Sequence, residues 1–285
     1  MSQSQFNVSK FDLECQLGDE IELTPFGDLH FETELFSKDH WERFKYQECT
    51  KIAHGKKTLY VGMGDYQDFM SDSERFCLQS SKFHDTTKKS FDQMVMDKLE
   101  RFIKEIEFMR GRIIGLHEGN HYYTFPSGVT TTQLMCERLG CKYLGGTALH
   151  RIFLRLKNRL SFAVDIFSAH HGGGGRLAGS SINSVERMTD VAQADIYIHG
   201  HNHQRNALVV PKALFLNHSC TVKARKMVLC NSGSFLRAYV DGKESYAVKH
   251  WMKPTDIGTC TIIMVPTRRE SKEESDSFVD FKVLS

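Results

Sequence analysis

Five short polar clusters in this 285-residue chain carry the side-chain types that bind metal ions in proteins. Each cluster follows an apolar run that is typical of a β-strand, so the clusters should lie at the ends of five strands. The clusters are Gly27-Asp28-Leu29-His30, Gly64-Asp65-Tyr66-Gln67-Asp68, Gly119-Asn120-His121, His170-His171-Gly172 and Gly200-His201-Asn202-His203. Strands that deliver these groups to one edge of a sheet would together hold two metal ions.

In two of the clusters, two side chains that can bind a metal ion lie two residues apart. In an extended chain residues i and i+2 point the same way, so Asp28 and His30 can reach one cation. The same spacing relates His201 and His203, which form the most specific local signal in the chain. Taken alone, each pair also fits a plainer interpretation, a turn aspartate with a surface histidine or a pair of buried structural histidines.

The second and third clusters supply oxygen ligands and a proton carrier. Asp65 follows a glycine-rich stretch that lets the backbone turn sharply, and its two oxygens could bridge two ions. Asp68 lies near enough in sequence to serve as a supporting partner. Asn120 offers a modest ligand, and the adjacent His121 can carry protons near pH 7. Taken singly, each of these clusters is more often a turn.

Four glycines follow His170 and His171 in the fourth cluster. The backbone N–H groups of such a loop, together with Arg176, could contact phosphate oxygens, although a plain flexible loop fits the sequence equally well. No Gly-Lys-Ser/Thr follows, so the loop is not of the Walker type. The mixed oxygen and nitrogen donors of the five clusters suit Mn²⁺, Fe, Zn²⁺ or Mg²⁺. The absence of cysteine among them argues against a structural zinc site.

The elements that must position these clusters alternate between short strands and helices up to His203. Strands are expected at residues 22–26, 58–63, 112–116, 161–168 and 195–199, and helices at 88–110, 131–139 and 181–192. After His203 the pattern indicates strands without helices, including residues 246–251, 259–265 and a last edge strand at 278–284. Residues 267–277 are charged and polar, and we expect a loose surface segment there. Because the clusters must meet in space, one domain spanning residues 1–285 is the simplest organisation.

The composition is that of a globular protein with a formal net charge of +2, which gives no strong electrostatic indication of nucleic acid. The eight cysteines include no Cys-x-x-Cys pair, and we interpret them as reduced thiols of a cytoplasmic protein. We see no secretory signal at the start of the chain and no segment long and apolar enough to cross a bilayer, so no membrane partner is expected.

Taken in order, the clusters resemble the motifs of the calcineurin-like metallophosphoesterases, which are Asp-x-His, Gly-Asp-x-x-Asp, Gly-Asn-His, His-Gly and Gly-His-x-His. The resemblance covers residues 22–235. It implies an α/β fold in which a two-sheet β-sandwich is flanked by helices (α/β/β/α), with the active site on loops at the strand ends. The glycine run and residues 231–235 are more loosely similar to phosphoesterases of phages and prokaryotes, some of them grouped with DNA-repair exonucleases.

The resemblance also implies roles for individual residues around two divalent ions, with Mn²⁺ as the first choice and Fe, Zn²⁺ or Mg²⁺ as alternatives. Asp28, His30 and His203 would bind the first ion, Asp65 both ions, and Asn120, His171 and His201 the second ion. His171 is favoured over His170 because it directly precedes a glycine, and His170 is the alternative ligand. His121 would donate a proton or stabilise charge at the leaving oxygen, and Asp68 would orient His121.

We therefore expect hydrolysis of phosphoester bonds by metal-activated water. Serine/threonine protein phosphatases carry Gly, Arg and Glu where this chain has Phe31, Phe69 and Tyr122, so that branch is not expected. A phosphodiesterase acting on nucleic acid is the first expectation. A phosphomonoesterase acting on small metabolites or phosphoproteins is the second, and a non-catalytic interaction module is the third. The basic residues that could line a nucleic-acid groove, or form only a solvated face, are Lys223, Arg225, Lys226 and Arg237.

Overall fold

The computed structural model describes residues 6–81, 83–157, 159–172, 178–216, 221–249, 251, 253–270 and 275–285. Two β-sheets pack against each other, and helices cover the outer face of each sheet. The strands are β1 (Asn7–Glu14), β2 (Ile21–Phe26), β3 (Lys57–Gly62), β4 (Ile113–His117), β5 (Lys142–Gly145), β6 (Thr147–Leu156), β7 (Arg159–Ala169), β8 (Ile196–His199), β9 (Arg205–Leu216), β10 (Thr221–Ser234), β11 (Gly258–Thr259), β12 (Thr261–Glu270) and β13 (Ser275–Leu284). The α-helices are α1 (Lys38–Ala53), α2 (Asp72–Ser80), α3 (Asp85–Glu105), α4 (Thr131–Leu139), α5 (Ala178–Arg187) and α6 (Tyr246–Lys249).

Within each sheet, the strands that precede the polar clusters run parallel to one another. In the six-stranded sheet, ordered β13-β12-β2-β3-β4-β5, strands β2, β3 and β4 are parallel. In the seven-stranded sheet, ordered β1-β6-β7-β8-β10-β11 with β9 also paired to β10, strands β7, β8 and β10 are parallel. Parallel strands end at the same edge of a sheet, so each sheet brings its clusters to one edge.

Three apolar clusters hold the layers together. Residues such as Leu23 and Val61 of one sheet and Val164 and Ile198 of the other form the core between the sheets. A second cluster packs α1, α3 and α4 on the outer face of the six-stranded sheet, and a third packs α5 and the following turn on the seven-stranded sheet. The predicted fold class, a two-sheet α/β sandwich flanked by helices, is therefore confirmed. Among the described residues, every helix is too short or too polar to cross a bilayer.

Several expected elements differ in the structure. The segment at 267–277 is not a loose surface segment in its described part, because Thr267 pairs with Phe278 and Arg268 with Ser277 across an antiparallel hairpin. Residues 271–274 lie outside the described residues. Residues 246–249 form a short helix instead of a strand, so helices are not absent after His203. The single-domain organisation stays a prediction.

Candidate metal centre

The backbone at the strand ends takes an uncommon conformation that aims the candidate ligands inward. Asp28, His30, Asp65, His201 and His203 have φ angles of 48°, 48°, 46°, 66° and 56°. A left-handed conformation costs a non-glycine residue on the order of 1–3 kcal/mol, and such residues cluster at functional sites. Five of the eight non-glycine residues with positive φ in the described part of the chain are therefore sequence-predicted ligands.

Asp28, at the end of β2, is fully buried beside His203. Its Oδ2 accepts a hydrogen bond from the His201 backbone N–H at 2.9 Å. Its Oδ1 lies 3.5 Å from His203 Nε2 and has no hydrogen-bond partner. Burial opposes the charge of this carboxylate, but His203 and His170 together lower the pKa of Asp28. The site thus holds a buried anionic oxygen that needs a cation.

Asp68 joins two imidazoles through one oxygen. The His30 Nδ1–H donates to Asp68 Oδ1 at 2.5 Å, and His121 Nδ1 lies 3.1 Å from the same oxygen. With Nδ1 engaged, His30 presents Nε2 to the site, and this buried nitrogen has no hydrogen-bond partner. A carboxylate behind one ring nitrogen and a free second nitrogen is the usual arrangement of a metal-binding histidine.

Asp65, at the end of β3, lies between the strand ends of the two sheets. Its Oδ1 accepts hydrogen bonds from the backbone N–H groups of Asn120 at 2.7 Å and His121 at 3.0 Å. Gly119 has no room for a side chain, because a Cβ there would collide with this carboxylate. Asp65 Oδ2 faces His170 Nε2 at 3.3 Å. One oxygen therefore fixes the loop, and the other is available for a ligand role.

The two adjacent histidines at the end of β7 have different surroundings. His170 is fully buried; its Nδ1–H donates to the Met63 carbonyl at 2.5 Å, and its Nε2 lies 3.3 Å from Asn120 Oδ1. His171 is exposed, with its ring centroid 4.7 Å from that of His170 and 5.2 Å from that of His201. The geometry favours His170 as the ligand that shares an ion with Asp65 and Asn120, although the sequence analysis favours His171.

The pKa values of this group follow from burial and from charge. Burial acts against the charge of His170, but the Asp65 hydrogen bond and the two carboxylates raise its pKa to about 9. Burial likewise opposes ionisation of Asp65, yet its contacts with His170 and the nearby histidines lower its pKa well below the usual range. Burial, assisted by His170, lowers the pKa of His201 to about 4, so its ring is neutral and ready to bind a metal.

Four overlapping groups of side chains have ligand atoms within 4.8 Å of one another and could each hold a metal ion. The groups are Asp28/His30/His203, Asp28/Asp65/His170, His170/His171/His201 and His30/Asp68/His121. The donors are oxygen and nitrogen, and two of the buried donor atoms, Asp28 Oδ1 and His30 Nε2, are without partners. These observations fit a binding site for divalent ions. The structure thus brings together all the predicted ligands and both predicted catalytic residues.

One further residue of the site, Arg75 on α2, is not part of any sequence motif and was missed by the sequence analysis. Its Nη1 donates to the backbone carbonyls of Asn120 at 2.8 Å and Tyr122 at 3.1 Å, and its guanidinium lies 3.8 Å from the centre of the Tyr122 ring. The signal in the sequence is indirect: Ser71 and Glu74 form a capping box that could have indicated α2. Nothing local indicates which loop the arginine would contact.

The residues expected to contact substrate give little support for a nucleic-acid groove. Arg176 lies outside the described residues. Lys223 and Arg225 both contact Asp276, at 3.1 and 2.7 Å. Lys226 contacts Asp280 at 2.7 Å, and Arg237 lies 3.6 Å from Asp39. Each of these four cations has an acidic partner within the fold, so their placement gives no specific argument for a nucleic-acid groove.

Solved structures of other proteins include distant matches to this chain. No family model matches the chain, and no curated protein matches it. A solved structure of Vps29 from Entamoeba histolytica complexed with Zn²⁺ is similar at 9% identity and a TM-score of 0.39, covering 92% of this chain and 99% of that chain. The calcineurin-like phosphoesterase YfkN from Bacillus subtilis is similar at 11% identity and a TM-score of 0.33, covering 94% of this chain and 91% of that chain.

Proposed function

We propose that this chain is a metal-dependent phosphoester hydrolase of the calcineurin-like metallophosphoesterase type. The observation that carries the proposal is the convergence of five strand-end clusters, distant in sequence, on overlapping groups of ligand atoms within 4.8 Å of one another. A structural role alone does not account for buried donor atoms that lack partners, such as Asp28 Oδ1 and His30 Nε2.

The donor set supports two divalent ions, with Mn²⁺ as the first choice and Fe, Zn²⁺ or Mg²⁺ as alternatives. We assign Asp28, His30 and His203 to one ion, Asp65 to both ions, and Asn120, His170 and His201 to the other. His170 replaces His171 in this assignment because its Nε2 faces Asp65 and Asn120, whereas His171 is exposed. Bound ions of this kind supply an activated water and offset negative charge on phosphate oxygens.

The chain itself supplies the proton transfer and the orientation. His121 Nδ1 lies 3.1 Å from Asp68, which fixes the tautomer and leaves Nε2 for the leaving oxygen of the substrate. Asp65 Oδ1 holds the Asn120 and His121 backbone N–H groups and so fixes the loop that presents both side chains. We therefore propose His121 as the proton donor and Asp68 as the residue that orients it.

Within phosphoester hydrolysis, we propose a phosphodiesterase activity first and a phosphomonoesterase activity second. Lys223, Arg225 and Lys226 form ion pairs within the fold. These residues therefore do not support a basic groove that would bind a nucleic-acid strand. The phosphodiester preference therefore depends on the motif resemblance, and nucleic acid is one substrate to be tested among others.

To test the proposal, the protein is freed of metal with a chelator and then reloaded with Mn²⁺, Zn²⁺, Fe²⁺ or Mg²⁺. The substrates are bis-p-nitrophenyl phosphate, p-nitrophenyl phosphate, and labelled single- and double-stranded DNA. We expect diester cleavage that depends on added metal and is lost in Asp65→Asn. Turnover of the monoester alone would replace the first activity by the second. A folded chain that binds metal yet cleaves none of these substrates would contradict the hydrolase proposal and favour the non-catalytic module.

A further inference from the structure

His171 is the one candidate ligand that the proposed assignment of the ions leaves without a role. Its ring lies beside the rings of two assigned ligands, with centroids 4.7 Å from that of His170 and 5.2 Å from that of His201. In the described part of the chain, no group forms a hydrogen bond with the His171 ring. Because His171 is exposed, its imidazole is accessible to solvent at the edge of the metal centre.

The position of His171 allows two kinds of contact. The ligand atoms of His170, His171 and His201 lie within 4.8 Å of one another. A nitrogen at this distance from two ligands can either bind the same ion or donate a hydrogen bond to an oxygen that this ion holds. The first alternative would add a fifth protein ligand to the second ion, to which Asp65, Asn120, His170 and His201 are assigned. The second alternative leaves a position for substrate, which a catalytic metal site needs.

His171 also lies where a cavity of about 700 Å³ reaches the metal centre. Among the residues that line this cavity, it is the one that also belongs to a ligand group. Other lining residues, such as Asn7, Arg187 and Val191, are exposed, so the cavity is accessible from solvent. A substrate that enters from this side would therefore contact His171 at the edge of the centre.

A second accessible imidazole, that of His121, belongs to a different part of the centre. His121 forms a ligand group with His30 and Asp68, and this group shares no member with the group of His171, His170 and His201. His121 is thus beside a ligand of the first ion, and His171 is beside two ligands of the second. A phosphate that spans both ions would have one imidazole near each ion.

We propose that His171 is a substrate-binding residue whose imidazole N–H donates a hydrogen bond to an unesterified phosphate oxygen at the second ion. The inference rests on the proposed function, because phosphate is the group that the two ions would hold. A neutral imidazole has one N–H donor, and that of His171 is not engaged within the described fold. His121 acts on the leaving oxygen, whereas His171 acts on an oxygen that stays with phosphorus. His171 therefore contributes to substrate affinity more than to the rate of bond cleavage.

Binding of inorganic phosphate to Mn²⁺-loaded protein tests the proposal without any turnover. Titration calorimetry compares the wild type with His171→Ala, His171→Gln and the matched control His54→Ala, which replaces an exposed histidine at the end of α1. We expect His171→Ala to weaken phosphate binding by about 10-fold and His54→Ala to leave it unchanged, since one hydrogen bond to a charged group is lost. His171→Gln retains an N–H donor and should recover most of the affinity, which a merely structural role of the ring would not allow.

Metal content separates phosphate binding from ion binding. Elemental analysis should find as many Mn²⁺ ions per chain in His171→Ala as in the wild type, and fewer in His170→Ala. Loss of an ion in His171→Ala would make His171 a metal ligand and overturn the proposal. With bis-p-nitrophenyl phosphate as substrate, His171→Ala should raise KM by about 10-fold and lower kcat by less.

The outcomes separate this proposal from the hydrolase proposal. If phosphoesters are cleaved but His171→Ala binds phosphate like the wild type, or His171→Gln binds it as weakly as His171→Ala, the proposal for His171 is wrong and the hydrolase proposal stands. Mn²⁺-loaded wild type that binds no phosphate would also contradict the proposal for His171. If phosphate binding depends on His171 as expected but no phosphoester is cleaved with any metal, the hydrolase proposal is wrong and His171 remains a phosphate-binding residue.

Discussion

His121 is the residue at which the proposed chemistry can be separated from metal binding. Its ring lies beside that of His30, with centroids 5.0 Å apart, but its Nε2 is assigned to the leaving oxygen of the substrate. We predict that His121→Ala retains two metal ions per chain and loses about 10²–10⁴ in kcat, the usual contribution of a general acid. Metal content by elemental analysis and steady-state kinetics measure the two effects. Full activity of this variant at saturating Mn²⁺ would show that His121 does not have this role.

Asp68 should affect both functions, because one of its oxygens contacts His30 at 2.5 Å and His121 at 3.1 Å. Asp68→Asn keeps the shape but removes the negative charge behind the two imidazoles. We predict metal affinity lower by about 10–100-fold, the usual effect of losing a ligand's supporting carboxylate, together with lower turnover. Titration calorimetry with Mn²⁺ measures the first effect. Asp85→Asn, an exposed carboxylate in the first turn of α3, is the control and should bind metal like the wild type.

Residue types and spacing predicted which side chains would gather at the strand ends, but not which of His170 and His171 would face Asp65. The two rings lie close together, with centroids 4.7 Å apart, and the nitrogen that faces Asp65 is His170 Nε2, at 3.3 Å. Which one does so depends on where β7 ends, and Ala169 is the last residue of that strand, paired with His199 of β8. That register follows from the packing of two sheets, which the spacing of polar residues does not encode.

At the scale of elements, α2 holds the loop of the candidate site through a single side chain. Arg75 is mostly buried and donates from Nη1 to the Asn120 and Tyr122 carbonyls. Lysine retains the charge but loses the planar group that contacts two carbonyls and a ring at once. We predict that Arg75→Lys lowers kcat/KM by about 10-fold, equivalent to about 1.4 kcal/mol, with the helical content unchanged.

Kinetics at saturating Mn²⁺ and circular dichroism measure this effect of the α2 arginine. Arg138→Lys is the control, since Arg138 on α4 is half-exposed and contacts only Glu100, at 3.5 Å, among the described partners. An equal loss of activity in both variants would indicate a general effect of arginine replacement, and the positioning role of Arg75 would then be wrong.

Among the strands that the sequence predicted, the clearest are those whose apolar pattern is uniform. Strands β2, β3, β4 and β8 have every residue buried or nearly so, and they were recognised as short apolar runs. In contrast, α1 carries only three buried residues in sixteen, namely Trp41, Phe44 and Glu48, so its apolar face is narrow. Residues 267–270 are mostly exposed and polar yet belong to β12, because pairing with β13 holds them in the sheet. Such long-range pairing is not visible in local composition.

At the scale of the whole molecule, a buried chain of hydrogen bonds joins the two sheets. His117 of β4 donates from Nδ1 to the Gly145 carbonyl at 2.9 Å, and its Nε2 accepts from Ser168 Oγ of β7 at 2.6 Å. Ser168 in turn accepts from His150 Nε2 at 2.5 Å, and Ser9 Oγ of β1 donates to His150 Nδ1 at 2.7 Å. In this arrangement both imidazoles are neutral, and every donor and acceptor of both rings is used.

Protonation of either ring would place a positive charge in the buried interior, so stability should fall in acid. Burial lowers the pKa of His117 to about 3, assisted by His150, and burial lowers the pKa of His150 to about 4. In the unfolded chain both titrate near 6.5, so below about pH 6.5 the unfolded state binds more protons than the folded state. The contribution of these histidines to stability is therefore complete above about pH 6.5 and is lost progressively as the pH falls toward about 4.

We predict that the free energy of unfolding of metal-free protein decreases from pH 7 to pH 5, and that His150→Gln reduces the slope of this decrease. The difference in slope between the wild type and His150→Gln measures the contribution of His150, because all other groups titrate in both proteins. Urea unfolding at several pH values in the presence of a chelator measures the slopes, and the exposed His54→Gln is the control. If His150→Gln and His54→Gln have the same slope as the wild type, the neutral chain between the sheets does not contribute to the pH dependence.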